Sequence, residues 1–125
     1  MLRILVMDDE ADTRTLIEEI LRSAGYDVVL AADGSEGMMR YHAAPVDLVL
    51  LDLFMPNREG LETIKELRNL APDIPIIAMS GDTLAQPLLD VARRLGATDV
   101  LQKPFLPEEL IDAVNRCCGP AACKR

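Results

Sequence analysis

The chain has 125 residues, half of them hydrophobic, and a formal net charge of −8 at neutral pH. That length suits one domain with a full core. The acidic balance argues against direct nucleic acid binding, which needs clustered Lys and Arg to neutralise phosphates, and favours a cation or a basic partner.

Two Phe, two Tyr and no Trp leave an aliphatic core. No apolar stretch approaches the length of a membrane span. Met1-Leu2-Arg3 runs straight into strand-like residues without a leader pattern. A cytoplasmic protein with no membrane contact is expected. The three cysteines, Cys117, Cys118 and Cys123, crowd the last nine residues and make no disulfide framework. One is expected to pack as a small hydrophobe and the others to stay loose thiols.

Along the chain, strand and helix patterns alternate five times, the signature of a parallel sheet. The first strand, about Arg3 to Met7, is nearly all apolar, as a strand covered on both faces must be. The first helix, about Asp12 to Ala24, carries the stripe Leu16, Ile17, Ile20, Leu21 and Ala24, and Gly25 stops it. The second strand is Asp27 to Ala31. Asp33-Gly34-Ser35-Glu36 has the spacing of a helix cap, and the second helix covers about Ser35 to Ala43. The third strand is Asp47 to Leu51, with Asp47 at its entrance as a structural residue.

The third helix runs from about Glu59 to Leu70, with Leu61, Ile64 and Leu67 inward. Pro72 and Pro75 bracket the turn into the fourth strand, Ile76 to Met79. The fourth helix has the stripe Leu84, Leu88, Val91, Ala92 and Leu95. Pro87 suits only its start, so the regular helix is expected from about Gln86 to Gly96. The fifth strand is about Asp99 to Leu101. The fifth helix follows Pro107, with Leu110, Ile111, Val114 and Cys118 inward, until Gly119-Pro120. One domain over residues 1–119 and a short tail over 120–125 are expected.

The chemistry lies where strands end. The first stops at Asp8-Asp9-Glu10, the third at Asp52, the fourth at Ser80 and the fifth at Gln102-Lys103-Pro104. In a parallel sheet these ends converge in the crevice where open α/β sheets bind ligands. Two carboxylates about 4 Å apart repel by roughly 4 kcal/mol at an effective dielectric of 20. Lys103 can offset part of that and a divalent cation more. Oxygen donors without His or Cys favour Mg²⁺. Such a site suits phosphoryl transfer to a carboxylate nucleophile, with Ser80 donating to a phosphate oxygen. Taken singly, each residue has a bland reading: Asp8 or Asp9 as a helix cap, Lys103 as an ion-pair partner.

In combination, Asp8-Asp9-Glu10, Leu51-Asp52-Leu53-Phe54-Met55-Pro56 with Gly60, Met79-Ser80-Gly81, Leu95-Gly96-Ala97 and Lys103-Pro104-Phe105 resemble a response-regulator receiver domain, the phosphoacceptor module of two-component signalling. The resemblance covers Leu2 to about Cys118. It implies a doubly wound, flavodoxin-like sheet of five parallel strands in the order 2-1-3-4-5, with helices on both faces. It implies that Asp52 is phosphorylated by a histidine kinase or phosphotransfer protein. Mg²⁺ would be held by Asp9 directly, by Asp8 mainly through water, by Asp52 and by the backbone carbonyl of Phe54. Ser80 and Lys103 would bind the phosphoryl group, and the peptide bond before Pro104 would be cis. It further implies a signalling switch rather than an enzyme.

The family's aromatic position three residues before the lysine is Val100 here, which puts the usual aromatic coupling in question. The bulky Phe54 and the acidic Asp82 occupy positions that tune phosphate lifetime in the family. Output is expected through the fourth helix, fifth strand and fifth helix, a face on which a homodimer is also open. Two alternatives stand beside the switch. One is a phosphate-independent binding module of the same fold. The other is a receiver cut from a larger hybrid kinase or transcription factor. A small phosphatase with an Asp nucleophile is disfavoured, because Phe54 stands where its second acid would be, and a flavin protein lacks stacking aromatics and a phosphate loop.

Overall fold

The structure, a computed structural model, describes residues 2–53, 59–81 and 86–117. Five strands and five helices alternate: β1 Arg3–Met7, α1 Ala11–Ser23, β2 Asp27–Ala31, α2 Gly34–Ala43, β3 Leu48–Asp52, α3 Glu59–Leu70, β4 Ile76–Ser80, α4 Gln86–Leu95, β5 Asp99–Gln102 and α5 Pro107–Cys117. The strands form one parallel sheet in the order β2-β1-β3-β4-β5, as expected.

The unbroken apolar strands are explained by their two-residue alternation. Leu5, Met7, Val49, Leu51, Ile76 and Ala78 pack with Ile64 and Leu67 of α3 and Leu89 and Ala92 of α4. The intervening Ile4, Val6, Leu48, Leu50, Ile77 and Met79 pack with Ile17 and Leu21 of α1 and Leu110, Ala113 and Val114 of α5. Each fully buried Leu or Ile contributes roughly 1.5–3 kcal/mol of apolar transfer, so these two layers dominate the fold's stability. Cys117 packs against the second layer, and burial pushes its thiol pKa up.

Several boundaries and faces differ from expectation. β3 starts at Leu48 rather than Asp47. Asp47 instead accepts the Arg3 backbone N–H through Oδ2 at 2.8 Å, at the sheet edge opposite the crevice. β3 and β4 each run one residue further, taking in Asp52 and Ser80. In α1 the stripe is narrower: Leu16 is 54% exposed and Ala24 is an exposed C-cap residue, leaving Ile17, Ile20 and Leu21. In α4, among the residues whose side chains are described, Leu89 and the expected Ala92 are buried, the expected Leu95 packs against the same layer, and Val91 is 38% exposed. Leu84, Cys118, Asp82, Phe54 and the tail lie outside the described residues.

Candidate metal and phosphoryl centre

Register places the acids. Met7 pairs with Leu51, so the next residues, Asp8 and Asp52, emerge side by side. Both continue the alternation of Ile4–Val6 and Leu48–Leu50 toward the α1 and α5 side of the sheet. Both are buried. Asp52 lies opposite Met79 of β4, and the Leu53 N–H donates to the Met79 carbonyl at 2.8 Å, holding the acceptor strand's end against its neighbour. On the other side of β4, Ser80 pairs with Gln102, and the Lys103 N–H donates to the Ser80 carbonyl at 2.8 Å.

Lys103 ties the two buried acids together. Its Nζ lies 2.6 Å from Asp8 Oδ2 and 3.1 Å from Asp52 Oδ2. Burial works against the ammonium charge. The hydrogen bond to Asp8 and the attraction of Asp52 and Asp8 outweigh it, and hold the Lys103 pKa above its ordinary 10.5. The Lys103–Pro104 peptide bond is cis, as the resemblance implied.

Asp8 is held by three bonds besides that to Lys103. Its N–H donates to Ala31 O at 3.1 Å, its Oδ1 accepts the Glu10 N–H at 2.9 Å, and its carbonyl accepts Arg14 Nη1 at 2.6 Å, while Lys103 holds Oδ2. Asp9, at the next position, is exposed. Neither acid caps α1 in the expected way, since Glu10 is the N-cap residue and makes no side-chain cap bond. Asp33 does cap α2, accepting the Glu36 N–H at 2.8 Å, while Glu36 Oε1 accepts the Ala32 N–H at 2.6 Å. It belongs to that helix and not to the crevice.

Asp8, Asp9 and Asp52 each offer a carboxylate oxygen, and these oxygens all lie within 4.8 Å of one another. Ser80 Oγ is buried and, among the described residues, has no hydrogen-bond partner. A buried orphan hydroxyl is costly and points to a group that is not protein. An all-oxygen donor set, one member open to water, with an ammonium bound to it and an unsatisfied hydroxyl at the end of the adjoining strand, fits a hard divalent cation with a phosphate. The fourth expected donor, the Phe54 carbonyl, lies outside the described residues. Val100 is half-buried and packs against the first apolar layer.

The sequence profile of the response regulator receiver domain matches residues 4–115. The chain belongs to the response regulator receiver family. It is 34% identical over 115 residues to the chemotaxis protein CheY of Thermotoga maritima, covering 91% of this chain and 95% of that protein. It is 42% identical over 113 residues to a probable transcriptional regulator ycf27 of Porphyridium aerugineum, covering 86% of this chain and 44% of that one. The chain spans about half the length of the curated transcriptional regulators it matches. Among solved structures, a receiver domain protein from Clostridium thermocellum superposes with a TM-score of 0.91 at 25% identity over the whole of both chains. CheY4 of Vibrio cholerae does so with 0.87 at 32% identity, over 94% and 98%.

This receiver therefore has the two-component family's fold with the expected acids, serine and lysine at one crevice. The sequence reading missed the backbone scaffold of that crevice, above all Arg14. Its partner is the Asp8 backbone carbonyl, which the side-chain pattern does not signal. Among the described residues, no helix is long and apolar enough to cross a membrane.

Proposed function

We propose that this receiver is a phosphorylation-controlled switch that accepts a phosphoryl group on Asp52 in the presence of Mg²⁺. The observation that carries the reading is the Lys103 ammonium bridging two buried carboxylates, with the orphan Ser80 hydroxyl at the end of the adjoining strand β4. Asp8, Asp9 and Asp52 would hold the cation, with Asp8, whose oxygens are already engaged, acting mainly through water. When bound, Mg²⁺ supplies positive charge against the equatorial oxygens of the transferring group.

A carboxylate oxygen of Asp52 attacks the phosphorus of a phosphohistidine on a histidine kinase or phosphotransfer protein. The O–P bond forms as the P–N bond breaks, and the imidazole, already protonated on its other ring nitrogen, leaves as the neutral ring. Water later cleaves the acyl phosphate, releasing inorganic phosphate and restoring the carboxylate. The chain thus cycles as a switch rather than serving as an enzyme for a separate substrate. A groove of about 350 Å³ flanks the crevice, lined by Glu10, Leu16, Lys103, Pro104 and Phe105 among others. Its apolar wall supports docking of the phosphodonor protein there.

Phosphorylation adds about −1.5 to −2 charge and strong acceptor oxygens. Lys103 moves its bond from Asp8 and Asp52 to the phosphoryl group, and Ser80 Oγ gains its partner. Both residues end strands that adjoin α4 and α5, so the face of α4, β5 and α5 carries the signal. With Val100 in place of an aromatic ring, the lever is backbone displacement at β4 and β5 rather than the swing of a ring.

The test is an amide-proton spectrum of the full chain with Mg²⁺ and beryllofluoride, a phosphoryl mimic, beside Mg²⁺ alone. The reading expects shifts at Asp52, Ser80 and Lys103 that spread along α4, β5 and α5. Saturable Mg²⁺-dependent binding with shifts confined to the crevice overturns the output face. No binding overturns the switch and favours a phosphate-independent module.

A further inference from the structure

The scaffold around Asp8 assigns work to a residue outside the acid cluster. Arg14 Nη1 donates a 2.6 Å hydrogen bond to the Asp8 carbonyl. Arg14 is itself fixed in the first turn of α1, where its N–H donates to Glu10 O at 3.0 Å. The Asp8 carbonyl belongs to the planar peptide that joins Asp8 to Asp9. Its direction sets the direction in which the next residue's Cβ leaves the chain.

The two acids are held very differently. The Asp8 side chain is buried and bonded to the Glu10 N–H and to Lys103. Asp9 is exposed, and among the described residues nothing donates a hydrogen bond to its carboxylate. Its aim toward the cation therefore depends on its backbone. We propose that Arg14 is a positioning residue: it clamps the Asp8–Asp9 peptide so that the Asp9 carboxylate faces the divalent cation. The inference rests on the metal reading above.

Arg14's charge and its geometry act in opposite directions, which makes the idea testable. A guanidinium on the Asp8 carbonyl repels a cation held at the neighbouring carboxylates, so removing charge alone tightens cation binding. Removing the clamp loosens it, because a half-buried carbonyl without its donor turns to find another.

The experiment is calorimetric titration of the full chain with Mg²⁺ alone, for the wild type, Arg14→Met, Arg14→Lys and Asp9→Asn. Urea unfolding in EDTA is measured beside each. Arg14→Met keeps the apolar stem without any donor and is expected to weaken Mg²⁺ binding about tenfold, the scale of one hydrogen bond to a charged group. Its unfolding midpoint in EDTA stays close to wild type, and Arg14→Lys, which keeps a cationic donor, recovers most of the affinity. Should Arg14→Met fail to fold, Arg14→Leu also removes the donor and carries the same test. Unchanged or tighter binding in the donor-less variant overturns the clamp. If Asp9→Asn weakens binding while Arg14→Met does not, only the clamp falls. A folded wild type that binds no Mg²⁺ overturns the metal reading and the clamp together.

Discussion

Lys103 stands between two carboxylates that the sheet has taken out of water, and its loss removes the ammonium that both share. Breaking a buried ion pair by removing one partner costs about 3–5 kcal/mol, somewhat less where one side opens to solvent. Lys103→Ala is therefore expected to lower the unfolding free energy in EDTA by about 2–3 kcal/mol. On the proposed reading Mg²⁺ binds only the folded chain, so part of this loss is expected to return in Mg²⁺. Denaturant titration in the two buffers checks this, and equal losses in both buffers contradict it. Asp9→Asn acts the other way. It removes one of three mutually repelling acids, so it is expected to raise stability in EDTA by about 1 kcal/mol while abolishing stabilisation by Mg²⁺. A variant that stays as Mg²⁺-responsive as the wild type would show that Asp9 is not a ligand.

Elements hold the crevice from its far side. Arg68, at the end of α3, donates to Ala71 O at 3.0 Å and Pro72 O at 2.9 Å, and to Gly96 O at 3.2 and 2.7 Å from Nε and Nη2. It thus pins the turn after α4 to α3. Gly96 has φ +126°, and an added Cβ would lie 2.9 Å from Arg68 Nε, whereas Gly25, at φ +95°, has open space around it. Gly25→Ala is expected to cost about 1 kcal/mol of backbone strain. Gly96→Ala adds the displacement of Arg68 and is expected to cost about 2–3 kcal/mol. Urea midpoints for the pair isolate the clash, and equal costs would remove it.

Between β1 and β2, the Arg3 hydrogen bond and charge hold the Asp27 carboxyl below its ordinary 3.8. A depressed carboxyl stabilises the fold above its unfolded pKa, and that contribution fades as pH falls through the folded one. Asp27→Asn is thus expected to be less stable than wild type at neutral pH. The deficit should vanish in strong acid, as urea titrations at both pH values will show.

At these two scales the sequence was informative where the signal was local. The strand-end acids, the Asp33 cap, the Pro87-limited start of α4 and the glycine stops all follow from one residue and its neighbours. What escaped was long-range. Which side of α4 faces the sheet depends on its rotation against α3, so Leu89 replaced Val91 in the core. Leu16 stays exposed because α1 leans on α5, beside a groove, rather than under a further layer. Arg14 went unseen because its partner is a backbone carbonyl, which no side-chain pattern reveals.

At the scale of the whole molecule, alternating layers bury an apolar sheet on both faces and leave three acids, a serine and a lysine at one edge. That edge carries buried charge and an unsatisfied hydroxyl, both of which cost folding free energy. A phosphoryl group with Mg²⁺ answers each of those costs, so phosphorylation and folding stability should rise together. The most direct measurement is intact mass of the full chain after incubation with Mg²⁺ and acetyl phosphate, beside Asp52→Ala and beside EDTA. The account expects one phosphoryl adduct on the wild type, absent from Asp52→Ala and absent in EDTA. An adduct that survives in Asp52→Ala, or none on a folded wild type that binds Mg²⁺, would contradict it.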